Sequence, residues 1–221
     1  EMIEKLFDAG VDVFRLNFSH GSQEDHAKRM DTLRALEKKK GRPIGVLQDL
    51  QGPKIRVGAL DDGGYHVKPG EKLRFVLEGG NGKRDSIPLP HKQVFDAIAP
   101  GHTMLVNDGR IRLKANGIGS DWIEADVVVG GPMSDRKGVN LPGARLSVTT
   151  LTEKDREDIR FGMEHAVDYV ALSFVRQPGD AHETRKVMEC FGKPVPLLAK
   201  VEKREAVERM NSVLRAFDGA M

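Results

Sequence analysis

The sequence predicts an α/β protein built on a parallel sheet and interrupted by a small β-rich unit. Four short stretches carry the first part of that expectation: "VDVFRLNFS" (11–19), "RPIGVLQD" (42–49), "VDYVALSF" (167–174) and "VPLLAKVE" (195–202). Each is nearly continuous in apolar character and ends in polar side chains, as a strand buried on both faces of a sheet requires. Segments of helical period lie between them, so strands alternate with helices and the crossovers are right-handed. The second part comes from residues 58–145, where this alternation stops and Gly- and Pro-rich turns take over.

The chain opens inside an amphipathic helix, "EMIEKLFDAGVD", without an initiator methionine. After the first strand, "SQEDHAKRMDTLRALEKKK" begins at a helix N-cap, Ser22, with an acid three residues on, Asp25. The turns "DDGG", "KPGE", "EGGNGK" and "VVVGGP" separate short alternating runs, "KLRFVL", "RIRLKA" and "WIEADVVV". Those runs read as a mostly antiparallel β unit inserted into the α/β pattern. The pattern resumes at "TEKDREDIRFGMEHA", where Thr152 and Asp155 repeat the capping signature. Further helices are expected over 177–191 and 203–216. The closing "FDGAM" reads like the start of another buried strand, so the sequence is expected to be a segment of a longer protein.

Charge and composition narrow the function classes. The 221 residues carry 35 Lys plus Arg against 33 Asp plus Glu, a net of +2, which gives no reason to expect a nucleic-acid partner. No apolar run is long enough to span a bilayer, so no membrane role is expected either. The single cysteine, Cys190, has no disulfide partner in the chain. It reads as a small buried hydrophobe in a protein of the reducing cytoplasm.

Functional groups of parallel α/β folds gather at the carboxyl ends of the strands. Here the first strand ends in Arg15, Asn17, Ser19 and His20, the second in Asp49, the third in Ser173 and the fourth in Lys200 and Glu202. A Gly-Pro pair after Asp49 leads to Lys54 and Arg56. Alternation puts Arg15, Asn17 and Ser19 on one face, and likewise Lys200 with Glu202 and Lys54 with Arg56. Each residue alone has an ordinary reading, as a surface ion pair, a turn former or a helix-entry group. The same event on four successive strands argues for a site. Converging cations suit phosphate, and carboxylates among them suit a divalent metal bridging phosphate oxygens. The residues thus indicate a metal-dependent enzyme for a small phosphorylated or carboxylated substrate, on either a barrel or a doubly wound sheet.

Six motifs add a resemblance. "FRLNFSHG" (14–21), "DLQGPKIRVG" (49–58), "LVNDGRIRL" (105–113), "KGVNLPG" (137–143), "LTEKDREDIRFGMEHAVDYVALSFVR" (151–176) and "AKVEKREAV" (199–207) resemble the pyruvate kinase family in order and spacing. The resemblance implies a partial TIM (β/α)8 barrel over residues 1–57 and 146–221, with an inserted small β-barrel lid domain over 58–145. It implies phosphoryl transfer from phosphoenolpyruvate to ADP, giving pyruvate and ATP, the last step of glycolysis, in a cytoplasmic homotetramer. The implied divalent cofactor is Mg²⁺ or Mn²⁺. Arg15 and Arg56 match phosphate-binding arginines, and Asn17 and His20 residues near the nucleotide and monovalent-ion sites. Lys200 matches the lysine that touches the phosphoryl and steadies the enolate, and Glu202 a metal carboxylate. Asp108 and Lys137 match lid residues that meet the nucleotide.

The departures from the family pattern are also informative. Its first barrel strand would precede Glu1, and its second metal carboxylate, the final barrel strands and the C-terminal domain would follow Met221. On those grounds the segment alone is expected to be inactive, with at most weak nucleotide or phosphate binding. Another metal-dependent, enolate-forming barrel enzyme is the remaining alternative. In the monovalent-ion pocket Asn17, Ser19 and Asp49 are kept, but Leu50 replaces a hydroxyl residue and Lys54 stands where a Glu is usual. Gln51 and Val57 match the same variant, so K⁺ is not expected to be required and Lys54 is the expected substitute for the ion.

Overall fold

The computed structural model describes residues 1–144 and 149–221. In chain order the elements are α1 (Met2–Asp8), β1 (Val13–Asn17), α2 (Gln23–Lys40), β2 (Gly45–Asp49), β3 (Gly64–Val67), β4 (Lys72–Val76), β5 (Ile87–Pro88) and α3 (Lys92–Ala97). There follow β6 (Thr103–Val106), β7 (Ile111–Ile118), β8 (Trp122–Val129), β9 (Gly131–Ser134), β10 (Val139–Asn140), α4 (Glu153–Glu164) and β11 (Tyr169–Leu172). The chain closes with α5 (Gly179–Glu189), β12 (Leu197–Ala199), α6 (Arg204–Glu208), α7 (Met210–Ala216) and β13 (Gly219–Ala220). They fall into two compact units, Glu1–Pro53 with Thr149–Met221, and Lys54–Val148. The boundary expected at 145/146 lies outside the described residues.

In the first unit five parallel strands form one sheet in the order β1-β2-β11-β12-β13. Spatial order equals chain order, with helices in the crossovers. A doubly wound sheet reverses direction at a switch point, whereas this progression is that of a barrel wall. The sheet is therefore part of a (β/α) barrel.

The core of this unit joins Leu16, Val46, Val170, Leu172 and Leu197 to Met30 and Leu33 of α2, Ile159 of α4 and Met188 of α5. Strand alternation turns the neighbouring residues, Arg15, Asn17 and Asp49, to the opposite face. Gln48 anchors the end of β2 on the helix side, its amide donating to the Asp158 carbonyl at 2.5 Å. Gly162 makes room for it, since a Cβ there would lie 2.1 Å from Gln48 Oε1.

Both predicted capping boxes form. Ser22 pairs with Asp25 at the start of α2, and Thr152 with Asp155 at the start of α4. Helix α2 ends on Gly41 at φ +65°, with Lys38, Lys39 and Lys40 complementing its C-terminal dipole.

Three expectations need correction. The strand expected over 195–202 is only Leu197–Ala199, because Pro194 and Pro196 have no N–H for the ladder. Lys200 and Glu202 therefore stand in the loop after it, and Ser19 likewise lies in a turn. The helix expected over 203–216 divides at Arg209, whose φ of −113° is not helical. Cys190 is exposed at the end of α5, its thiol 3.3 Å from the Lys186 carbonyl, because the last turn of that helix faces outward.

The second unit is a six-stranded sheet, β10-β6-β7-β8-β4-β5, and a two-stranded one, β3-β9. Among the described residues every strand pairing is antiparallel except β4 with β5. Alternate residues of β4, β7 and β8, among them Leu73, Phe75, Leu113, Ile123 and Ala125, make its core. The β6–β7 hairpin turns through Asp108 and Gly109, both at positive φ, and closes with the Arg110 N–H on the Asn107 carbonyl.

Candidate active site

At the carboxyl ends of the first unit's strands the structure places a carboxylate between two cations. Asp49 is almost wholly enclosed, at 1% exposure. Its Oδ2 accepts from Arg15 Nε at 2.6 Å, and its Oδ1 lies 3.0 Å from Lys200 Nζ. That second contact is an ion pair without hydrogen-bond alignment. A buried carboxylate without such partners would be costly, so the two cations stabilise it and are themselves held by it.

Lys200, whose side chain is 15% exposed, has two further partners. Its Nζ donates to Ser173 Oγ at 2.8 Å and lies 3.3 Å from Glu202 Oε1. The other Glu202 oxygen accepts the Phe174 backbone N–H at 3.1 Å. Arg15, half exposed, keeps guanidinium donors free of Asp49. Two cations balanced by two carboxylates, open on the Arg15 side, can take an anionic substrate and carry charge shifts across it.

Loops behind these groups hold them in register. Gly52, at φ +69°, donates its N–H to Asp155 Oδ1 at 2.9 Å. Asp155 is fully buried, and its Oδ2 accepts from the Thr152 N–H and hydroxyl. One carboxylate therefore caps α4 and anchors the loop after β2. After β1, Asn17 Oδ1 accepts the Ser19 N–H at 3.0 Å, and the His20 carbonyl accepts from His26 Nε2 at 3.0 Å. His26 stacks on Phe18 and accepts from Arg29 at Nδ1. Burial holds its pKa below the usual histidine value.

Of the residues singled out in the sequence, Arg15, Asp49, Lys200 and Glu202 converge on one another. Asn17 and Ser19 bond to each other in the adjoining turn. Leu50 is buried in the apolar core. Arg56, Lys54, Lys137 and Asp108 belong to the second unit. There Arg56 donates to the Arg136 carbonyl at 2.9 Å, and its backbone N–H meets His91 Nε2 at 3.0 Å. Lys137 offers its carbonyl to the Val57 N–H, and the Lys54 stem passes close over Gly138. Sequence reasoning noted Ser173 at a strand end without giving it a role. Its only signal is a polar residue directly after an apolar strand.

Among the described residues no three Asp, Glu, His or Cys side chains gather into a metal cage. Asp49 has both oxygens facing cations. Glu202, at 37% exposure, also has a partner on each oxygen, Lys200 and the Phe174 N–H, but it is the more exposed carboxylate and keeps further lone pairs with which it could ligate a hard divalent ion.

The model of the family described as "Pyruvate kinase, barrel domain" matches residues 1–221. A pyruvate kinase of Agrobacterium vitis is 47% identical over 222 residues, covering all of this chain and 46% of the relative. One from Mycobacterium intracellulare is 42% identical over the whole chain and 47% of its own length. One from Corynebacterium glutamicum is 42% identical over 99% of the chain and 46% of its length. The chain spans about half the length of the curated relatives it matches.

Proposed function

Since the chain belongs to the pyruvate kinase family, we propose that the complete protein transfers a phosphoryl group from phosphoenolpyruvate to ADP, giving pyruvate and ATP. The observation that carries this reading is the Arg15–Asp49–Lys200 array with Glu202 beside it. Phosphoryl transfer asks little covalent chemistry of a protein, and positioning and charge neutralisation do most of the work. Arg15, with guanidinium donors to spare, binds the phosphoryl oxygens of the substrate. Lys200, held among three partners, meets the oxygen on which negative charge grows as the enolate leaves, and steadies it there. Glu202 would hold Mg²⁺ or Mn²⁺, which supplies Lewis-acid polarisation of substrate oxygens when bound.

In this reading residues 58–145 are the inserted lid, whose Asp108 and Lys137 meet the nucleotide, while Arg56, just before it, serves the phosphates and His20 the nucleotide side in the barrel. The complete protein is a cytoplasmic homotetramer whose small-molecule partners are phosphoenolpyruvate, pyruvate, ADP and ATP. K⁺ is not required. Two features of the first unit support that: the Leu50 side chain offers no oxygen to a cation, and Asp49, a monovalent-ion ligand in the family, already faces two cations. Lys54 is the proposed replacement for the ion's charge.

The test is phosphoenolpyruvate-dependent ATP formation by the complete protein, with Mg²⁺ or Mn²⁺, in KCl against tetramethylammonium chloride at matched ionic strength. Turnover that needs the divalent ion but is equal in the two salts is expected. Absence of ATP formation sinks the transferase reading. Activation by K⁺ of about tenfold, equivalent to ~1.4 kcal/mol, sinks the K⁺ assignment alone.

A further inference from the structure

Ser173 and Phe174 follow β11 and reach, by two different atoms, the two residues on which the proposed chemistry depends. Ser173 is buried at 2% exposure and its hydroxyl has one proton to give. That proton goes to the Leu50 carbonyl at 2.7 Å, which orients the oxygen's lone pairs. One of them accepts from Lys200 Nζ at 2.8 Å. The hydroxyl is thus a fixed relay between the backbone at the end of β2 and the ammonium.

Its neighbour shows that the position is held against resistance. Phe174 adopts φ +58°, a conformation unfavourable for a bulky L residue and kept only where the surroundings impose it. In that conformation its N–H points at Glu202 Oε2, 3.1 Å away. The loop after β2 closes over the pair through Gly52, where a Cβ would come within 2.9 Å of both Ser173 Cβ and Phe174 Cδ2.

We propose that Ser173 is a positioning residue for the reaction, setting the Lys200 ammonium through its hydroxyl, with the strained Phe174 backbone holding Glu202 in step. This rests on the pyruvate kinase reading for the role of Lys200. An ammonium on a flexible four-carbon stem has many orientations, and its two carboxylate neighbours attract it without fixing its direction. The hydroxyl supplies the direction. Displacement of a reacting group by about 1 Å can cost ~100-fold in rate, so loss of the hydroxyl should appear in kcat.

The experiment compares Ser173→Ala and Ser173→Cys with the unmutated complete protein. Cysteine fills the same space but accepts poorly from an ammonium, so it separates packing from hydrogen bonding. The expected result is a kcat about 10- to 100-fold lower in both variants, with KM for phosphoenolpyruvate changed much less. In parallel, the rate of amine labelling at Lys200, read by mass spectrometry against the exposed Lys28, should rise in both variants. A Ser173→Cys protein with normal kcat and normal labelling overturns the proposal, as does a loss of thermal stability alone. If the unmutated protein makes no ATP, the pyruvate kinase reading falls and the labelling comparison still decides whether Ser173 holds Lys200.

Discussion

Replacing Asp49 by Asn removes one charge and almost no volume, and it tests the central array directly. Unit charges 3.0 Å apart, as Asp49 Oδ1 and Lys200 Nζ are, attract by ~5.5 kcal/mol at an effective dielectric of about 20. The Arg15 pair adds less, because the guanidinium is half exposed and solvent screens it. Removing one member of a buried pair generally costs ~3–5 kcal/mol, the remaining charge being left without its partner. Lys200 keeps Ser173 and Glu202, so the lower end of that range, ~3 kcal/mol, is expected. The carboxamide also places an NH2 donor where one carboxylate oxygen stood, facing either Arg15 or Lys200, and drives that cation from its present position while the amide oxygen still accepts from the other. A shift of about 1 Å in Lys200 corresponds to ~100-fold in kcat, or ~2.7 kcal/mol. The assay is steady-state ATP formation by the complete protein, with the urea unfolding midpoint as the stability readout. A variant with kcat within about threefold of the original, ~0.65 kcal/mol, and an unchanged midpoint would show that Asp49 does not organise the site.

Three further outcomes follow from the same geometry. Glu202→Gln should weaken Mn²⁺ binding, measured by electron paramagnetic resonance, by at least ~10-fold, or ~1.4 kcal/mol, and depress turnover with it; equal affinity would remove Glu202 from the metal site. Gly52→Ala meets both an unfavourable φ of +69° and contacts of 2.9 Å with Ser173 and Phe174, so a destabilisation of ~2–3 kcal/mol and lower kcat are expected; a neutral variant would mean that the loop relaxes freely. His26 has a folded-state pKa lowered mainly by burial, and with Arg29 and Lys154 also opposing its protonation. In the window from its lowered pKa up to 6.5, the unfolded chain holds the extra proton, so stability falls as pH drops below 6.5 and is complete above it. Unfolding midpoints across that window should fall more steeply for the original protein than for His26→Gln, and parallel curves would refute the assignment.

Much of this protein can be read along the chain because it depends on neighbours a few residues apart. The capping pairs Ser22/Asp25 and Thr152/Asp155 start helices through bonds spanning three residues, and apolar runs ending in Arg15, Asp49, Ser173 and Lys200 mark strand ends facing a site. The family, too, is legible in those motifs. What periodicity left open was decided by long-range pairing. Whether the sheet is a barrel wall or doubly wound depends on which strands lie side by side, and only the order β1-β2-β11-β12-β13 answers that. Asp49 acquires its two cations across sheet register, from Arg15 on β1 and from Lys200 beyond β12. Ser173 reaches Leu50 across 123 positions, and Asp155 reaches Gly52 across 103. A buried charge or hydroxyl takes whichever partners the packed sheet brings within about 3 Å, and local propensity, which acts over a single turn or strand, carries no record of them.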